Sequence, residues 1–141
     1  MKKSDFKKYG LDYAVLSEEF DLEKIDSLRD LLDKMVHRTY TYAGLIEDLL
    51  QPDNVASMHE ANFLRIHHTV KINDVYKELM KLNRQLLLFR LNFSEDKFKE
   101  VSKTYMLQWG KIKPELQIIL TEMSDSWNKT VIHKQDGGYL G

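Results

Sequence analysis

The sequence predicts an all-α fold: an antiparallel up-down-up bundle of three long, coiled-coil-like helices. Three observations predict it. Apolar residues recur at steps of three and four along most of the chain. Chain-breaking residues are sparse, with six Gly and two Pro in 141 residues, so the regular elements run long. The interruptions between the periodic stretches are short, and short links between long helices make neighbours antiparallel.

Residues 1–20 read as an aromatic and basic arm. Phe6, Tyr9, Leu11, Tyr13, Val15, Leu16 and Phe20 are interleaved with lysines and acids, and Gly10 breaks the stretch. That is too apolar for a solvated tail, so a short helical turn or more is expected. The bundle itself is expected over residues 21–134, and a flexible tail over 135–141, where Asp136-Gly137-Gly138-Tyr139 falls.

The first long helix is expected from Leu22 to Leu50. Asp21 suits the N-cap, with Glu23 and Asp26 placed favourably for the helix dipole. Ile25, Leu32, Thr39 and Ile46 form one seam, and Leu28, Met35, Tyr42 and Leu49 the other. Gln51-Pro52-Asp53-Asn54 ends it, because Pro removes a donor and Asp and Asn favour turns.

The second helix is expected from Val55 to Asn92. Its second half repeats through Val75, Leu79, Leu82, Leu86, Phe89 and Phe93. Its first half uses Ala56, His59, Phe63, Ile66 and Val70, which is out of phase with the rest, so a stutter is expected near Val70 to Ile72. Residues 86–91 are apolar on nearly every side and call for cover on more than one face. The third helix follows Ser94, a good N-cap, with Glu95 and Asp96 in its first turn. Its stripe is Phe98, Val101, Tyr105, Ile112, Leu116, Ile119, Met123 and Trp127. Gly110 and Pro114 predict a kink or short break between Trp109 and Pro114.

Composition narrows the chemistry. There is no Cys, which removes disulfides, thiolate catalysis and Cys-based zinc sites. No apolar run approaches the ~18 residues that span a bilayer, and the Lys-rich start lacks an apolar signal core, so no membrane association is expected and the cytoplasm is the expected compartment. No His-Glu-x-x-His, Glu-x-x-His, glycine-rich phosphate loop or nucleophile elbow occurs, so neither an enzyme nor a cofactor is expected.

The charge is segregated. Residues 11–60 hold twelve acids and four bases, whereas residues 61–115 hold eleven bases and six acids. Lys77, Lys81 and Arg84 share one helix face at spacings of four and three, a stripe able to follow phosphates or an acidic partner. Asp74, Glu78, Glu95, Asp96 and Glu100 interrupt the basic stretch, and the pI is near 6.5. Pairing within the chain, with Glu23, Asp26, Asp30 and Asp33 near the Lys77–Lys81 turns, is therefore the preferred reading.

Among the five histidines, His37 points outward, and the adjacent His67 and His68 cannot both face one point. His59 falls on a predicted core stripe. It is a weak metal candidate, and a register-fixing role is preferred, since counting back from Pro52 sets it opposite Ile46 and near Tyr42. The run His37-Arg38-Thr39-Tyr40-Thr41-Tyr42 looks like a site, but a core Tyr42 with polar flanks explains it more simply.

The expected function is a non-catalytic helical protein–protein interaction module, a scaffold, adaptor or small regulatory subunit. The runner-up is a nucleic-acid-associated module using the basic face, and a metal- or cofactor-binding bundle comes third. The second and third helices should outrun the first by roughly 14 Å. Either the aromatic arm or a second copy can cover Leu86, Leu87, Leu88, Phe89, Leu91, Phe93 and Phe98. The lysines near Phe6 and Tyr9 argue against the arm sealing the site alone, so a homodimer is expected, with a further protein partner also expected.

Overall fold

The computed structural model describes residues 1–128, except the side chains of residues 66–70. Helix makes up 82% of it, more than twice the ~30–35% of an ordinary soluble domain, and no strand occurs among the described residues. The elements are α1 (Lys3–Lys8), α2 (Tyr13–Ser17), a 3₁₀ turn (Leu22–Lys24), α3 (Leu28–Leu50), α4 (Val55–Leu91) and α5 (Glu95–Ser126).

The arm residues are part of the core. Gly10, at φ 72°, turns the chain between α1 and α2, a conformation that costs glycine little. Phe6, Leu11, Leu16, Phe20, Leu22 and Ile25 are buried in one cluster with residues of α3, α4 and α5. Phe6 meets the edge of Tyr13 at 5.1 Å. The neighbouring lysines do not obstruct this, because the ammonium groups of Lys3 and Lys8 lie over the rings of Tyr13 and Tyr9, 5.4 and 5.5 Å from their centroids.

The first long helix begins later than its apolar pattern suggests. Leu22–Lys24 is a separate 3₁₀ turn, and Asp21 makes no side-chain capping bond. The cap is Ser27, whose Oγ accepts from the Asp30 backbone N–H at 3.1 Å, while the Asp30 carboxylate accepts from the Asp26 N–H at 3.0 Å. Ser-x-x-Asp satisfies donors at both ends of the turn, and that outweighs a lone Asp at position 21. The α3 seams are as expected except that Tyr42 is half-buried. Leu31, Val36 and Ala43 widen the stripe.

The expected hairpin register around Pro52 is overturned. Thr39 meets Asn83, Glu47 meets Tyr76 and Asp33 meets Arg90. Residue numbers thus fall along α4 as they rise along α3, but these contacts all lie in the second half of α4. Its first half meets α5, where His59 bonds Ser126 and Trp127 bonds Glu60. Counting from a turn assumes that the helices pair from their first residues, and these do not. The overhang of α4 and α5 past α3 is therefore at the Val55 and Ser126 end. At the other end α3 reaches the α4–α5 link, with the Arg29 guanidinium 4.4 Å from the Phe93 ring.

Ser57, Ala61, Leu64, Ile72, Val75, Leu79, Leu82 and Leu86 are buried along α4, and the eight-residue step from Leu64 to Ile72 departs from the heptad spacing on either side of it, as a stutter near Val70 to Ile72 does. Of the stripe expected in the first half, His59 is buried, Phe63 half-buried and Ala56 exposed, and the side chains of Ile66 and Val70 lie outside the described residues. The small Ser57 and Ala61 are buried beside His59. α5 runs unbroken through Pro114, contrary to the expected break. Pro114 deprives the Gly110 carbonyl of its helical donor, but both residues are exposed, so that carbonyl remains open to hydration. Trp109, inside the expected break, is a buried core residue, whereas Trp127 is exposed.

Candidate functional site

Three places on this scaffold carry polar convergence or exposed apolar surface. The first is built on Glu19, which follows α2 at the edge of the core. Its side chain is 12% exposed. Its Oε1 accepts from Arg38 Nη1 at 2.8 Å and from Trp109 Nε1 at 3.0 Å, and its Oε2 accepts from Lys113 Nζ at 2.7 Å. Arg38 also donates to the Glu19 carbonyl. One carboxylate thereby joins the arm to α3 and α5. Burial pushes its pKa up, but the Lys113 and Trp109 hydrogen bonds and the charges of Lys113 and Arg38 outweigh that, so it lies below the usual carboxylate range.

Aromatic rings enclose this group. The Arg38 guanidinium lies 4.3 Å from the Phe20 ring and 5.3 Å from Trp109. Tyr105 stacks on Trp109, and its buried hydroxyl has no hydrogen-bond partner. Beside the group, the arm and the outer face of α3 enclose an open cleft of about 780 Å³ that includes Phe20, Ile25, His37, Thr41, Tyr42 and Leu45. His37, Arg38, Thr41 and Tyr42 of the run that looked like a site in the sequence thus line this cleft. Among its charged lining residues, Lys24 pairs with Asp21 at 3.5 Å and Arg38 with Glu19. Sequence reasoning missed Glu19, Trp109 and Lys113. Trp109 and Lys113 share a face of α5 at i,i+4 spacing, but Glu19 lies some ninety residues away in the chain, and no spacing rule connects it to them.

The second place is the outer face of α4. Leu87, Leu88 and Leu91 are 36%, 65% and 80% exposed. The rest of the expected interface is internal. Leu86 and Phe98 are buried, and Phe89 and Phe93 are half-buried in a ring cluster with Phe98 at 5.5–6.3 Å. Those four are occupied because α3 reaches this end of α4, and the expectation that they lie beyond it is corrected here.

The third place is the basic face. Lys81 pairs with Glu78 at 3.6 Å and Arg84 donates to Asn83 Oδ1 at 2.5 Å. The expected pairing of Lys77 and Lys81 with Asp33 does not form, because Asp33 meets Arg90 instead, and the α3 acid that reaches this part of α4 is Glu47, which accepts from the Tyr76 hydroxyl at 2.8 Å. Lys71 pairs with Glu115 at 3.7 Å.

His59 is buried, away from Ile46 and Tyr42. Its Nε2–H donates to the Ser126 carbonyl at 2.7 Å, and its ring lies 4.3 Å from that of Trp127. It joins the start of α4 to the end of α5. No group of three or more metal-ligating side chains occurs among the described residues, and no helix there is long and apolar enough to cross a membrane.

No protein-family model, curated protein or solved structure matches the chain.

Proposed function

We propose that this chain is a non-catalytic helical interaction module. In this reading α3, α4 and α5 form an up-down-up bundle braced by the arm, with α5 bent near Gly110–Pro114. The module presents the Leu87–Leu88–Leu91 face of α4 to a second copy of itself, and the resulting assembly serves as a scaffold or regulatory subunit.

The observation that carries this is the exposure of three leucines on one turn-and-a-quarter of α4, beside a core that takes in Leu86. Burying a leucine side chain contributes ~1.5–3 kcal/mol, so a contiguous leucine face left in water forgoes a large part of a domain's marginal stability. Isolated apolar residues need no explanation, but a cluster on one face points to a contact surface. A two-fold pairing is the simplest way for one such face to cover another.

Sedimentation equilibrium tests this. The chain at micromolar concentration should run near twice its 16.7 kDa mass. Leu88→Glu with Leu91→Glu should give a monomer whose circular dichroism is unchanged. A wild-type monomer at millimolar concentration would dispose of self-association through this face.

A further inference from the structure

A different surface carries a second inference, independent of the leucine face of α4. Between α2 and α5 runs a groove of about 440 Å³. Its floor and walls are Leu11, Val15, Leu16, Met106 and Leu107, with Lys99 and Lys103 along one rim. Leu107 is 60% exposed and Val15 is half-open to solvent, so the groove is not closed by the chain's own packing. The apolar face continues along α5 beyond the groove. Gly110 has open space where a Cβ would be, and Ile118 is exposed in turn. Leu107, Gly110, Pro114 and Ile118 recur at three- and four-residue steps, the spacing of one helix face.

The side chains that line the groove carry two lysines, Lys99 and Lys103, against one acid, Asp12. Lys99 and Lys103 lie one helical turn apart, and neither has an ion-pair partner among the described residues. Lys99 is held in place, because its Cδ would come within 2.9 Å of a Cβ on Gly10, so its stem lies against the bare backbone of that turn. Asp12, on the groove's edge, is engaged in capping α2, where it accepts from the Val15 N–H at 3.2 Å, and Glu100 lines a separate cavity against α4. Asp96, in the first turn of α5, precedes Lys99 by three residues.

We infer that this groove docks an acidic amphipathic helix from a partner protein, its apolar face in the Val15–Leu107 groove and two carboxylates one turn apart against Lys99 and Lys103. The apolar floor supplies the contact area and the paired lysines fix direction and register, as charge does in helix-in-groove recognition. Gly110 lets the partner backbone approach α5 closely, where any larger side chain would hold it off.

The test uses the full chain, labelled with ¹⁵N, and two synthetic helical peptides of about 18 residues, a length of ~27 Å. Both carry leucines on one face. One flanks them with glutamates one turn apart and the other with lysines. The acidic peptide should bind saturably, with chemical-shift changes at Gly10, Val15, Lys103 and Leu107. Lys99→Glu with Lys103→Glu should weaken it about tenfold or more and favour the basic peptide instead. Leu88→Glu with Leu91→Glu, on α4 and outside the groove lining, should leave this binding unchanged whether or not the chain self-associates. Equal binding of the two peptides, shift changes on α4 in place of the groove, or no saturable binding of the acidic peptide at millimolar concentration would each overturn the proposal.

Discussion

Asn83 Nδ2 donates to Thr39 Oγ1 at 3.0 Å, joining two polar side chains that are almost completely buried between α4 and α3. Thr39 in turn donates to the Val36 carbonyl at 2.9 Å, and Asn83 Oδ1 accepts from Arg84. A buried polar pair inside an apolar seam contributes little net stability when satisfied. It acts by penalising every register in which the two groups do not meet. Asn83→Ala should cost about 1–3 kcal/mol in urea unfolding, since it leaves Thr39 without its partner. A double-mutant cycle with Thr39→Val should give a coupling above ~0.5 kcal/mol. Additive losses would show that the pair does not act as a unit.

The Glu19 group makes stability depend on acid. Its carboxyl is held below the usual range in the folded chain, so the ionised form is favoured by folding. The contribution is complete above the unfolded value and is lost as pH falls through the folded one. Glu19→Gln should therefore destabilise the chain at neutral pH, on the order of 3 kcal/mol for a largely buried, multiply bonded carboxylate. The difference between the two proteins should shrink as pH drops below about 4. Melting curves at pH 7 and pH 3 that differ by the same amount would exclude Glu19 as the acid-sensitive contact.

Tyr105 gives the opposite dependence. Burial holds its ionisation well above the usual phenol range and outweighs the nearby Arg38 guanidinium, which favours the ionised form. A raised value stabilises the fold below the unfolded pKa of about 10, and that contribution is lost as pH rises further toward the folded value. Tyr105→Phe removes an unsatisfied polar group and should leave stability unchanged at pH 7 or raise it by up to ~1 kcal/mol. It should also lessen the loss above pH 10. A loss of 2 kcal/mol or more at neutral pH would mean that the hydroxyl is satisfied in solution.

Phe6 tests whether the arm is a structural part of the core. It is fully buried and in edge contact with Tyr13. Phe6→Ala should cost ~3–5 kcal/mol, as a large-to-small change in a packed core does. Lys3→Ala, an exposed neighbour whose ammonium lies over Tyr13, should cost under ~1 kcal/mol. A small effect at Phe6, measured by denaturant unfolding, would show the arm to be docked without supporting the fold.

By itself the sequence determined the helical class, the extent of α4 and the seams of α3. Leu32, Thr39 and Ile46 recur at heptad spacing, and Asn54 stands where the cap of α4 is found. These are local properties: periodicity and capping act within a few residues, so they can be read from a few residues. The start of α3 was legible too, in the Ser27–Asp30 capping pair, but a longer apolar pattern obscured it.

Only the tertiary structure decided which half of α4 meets α3, which residues of the Leu86–Phe98 run are covered, and where the arm lies. The physical reason is that each depends on contacts between residues far apart in the chain. Asn83 pairs with Thr39 and not with the residue that a tight hairpin would put there. Glu19 is tied to Trp109 and Lys113 across some ninety residues. A stripe shows that a helix has an inner face, but which neighbour fills that face, and at what height, is fixed by side-chain volumes and buried polar pairs meeting in space. The small Ser57 and Ala61 belong to the α4 seam for the same reason, because what they pack against, and not their own hydrophobicity, puts them inside.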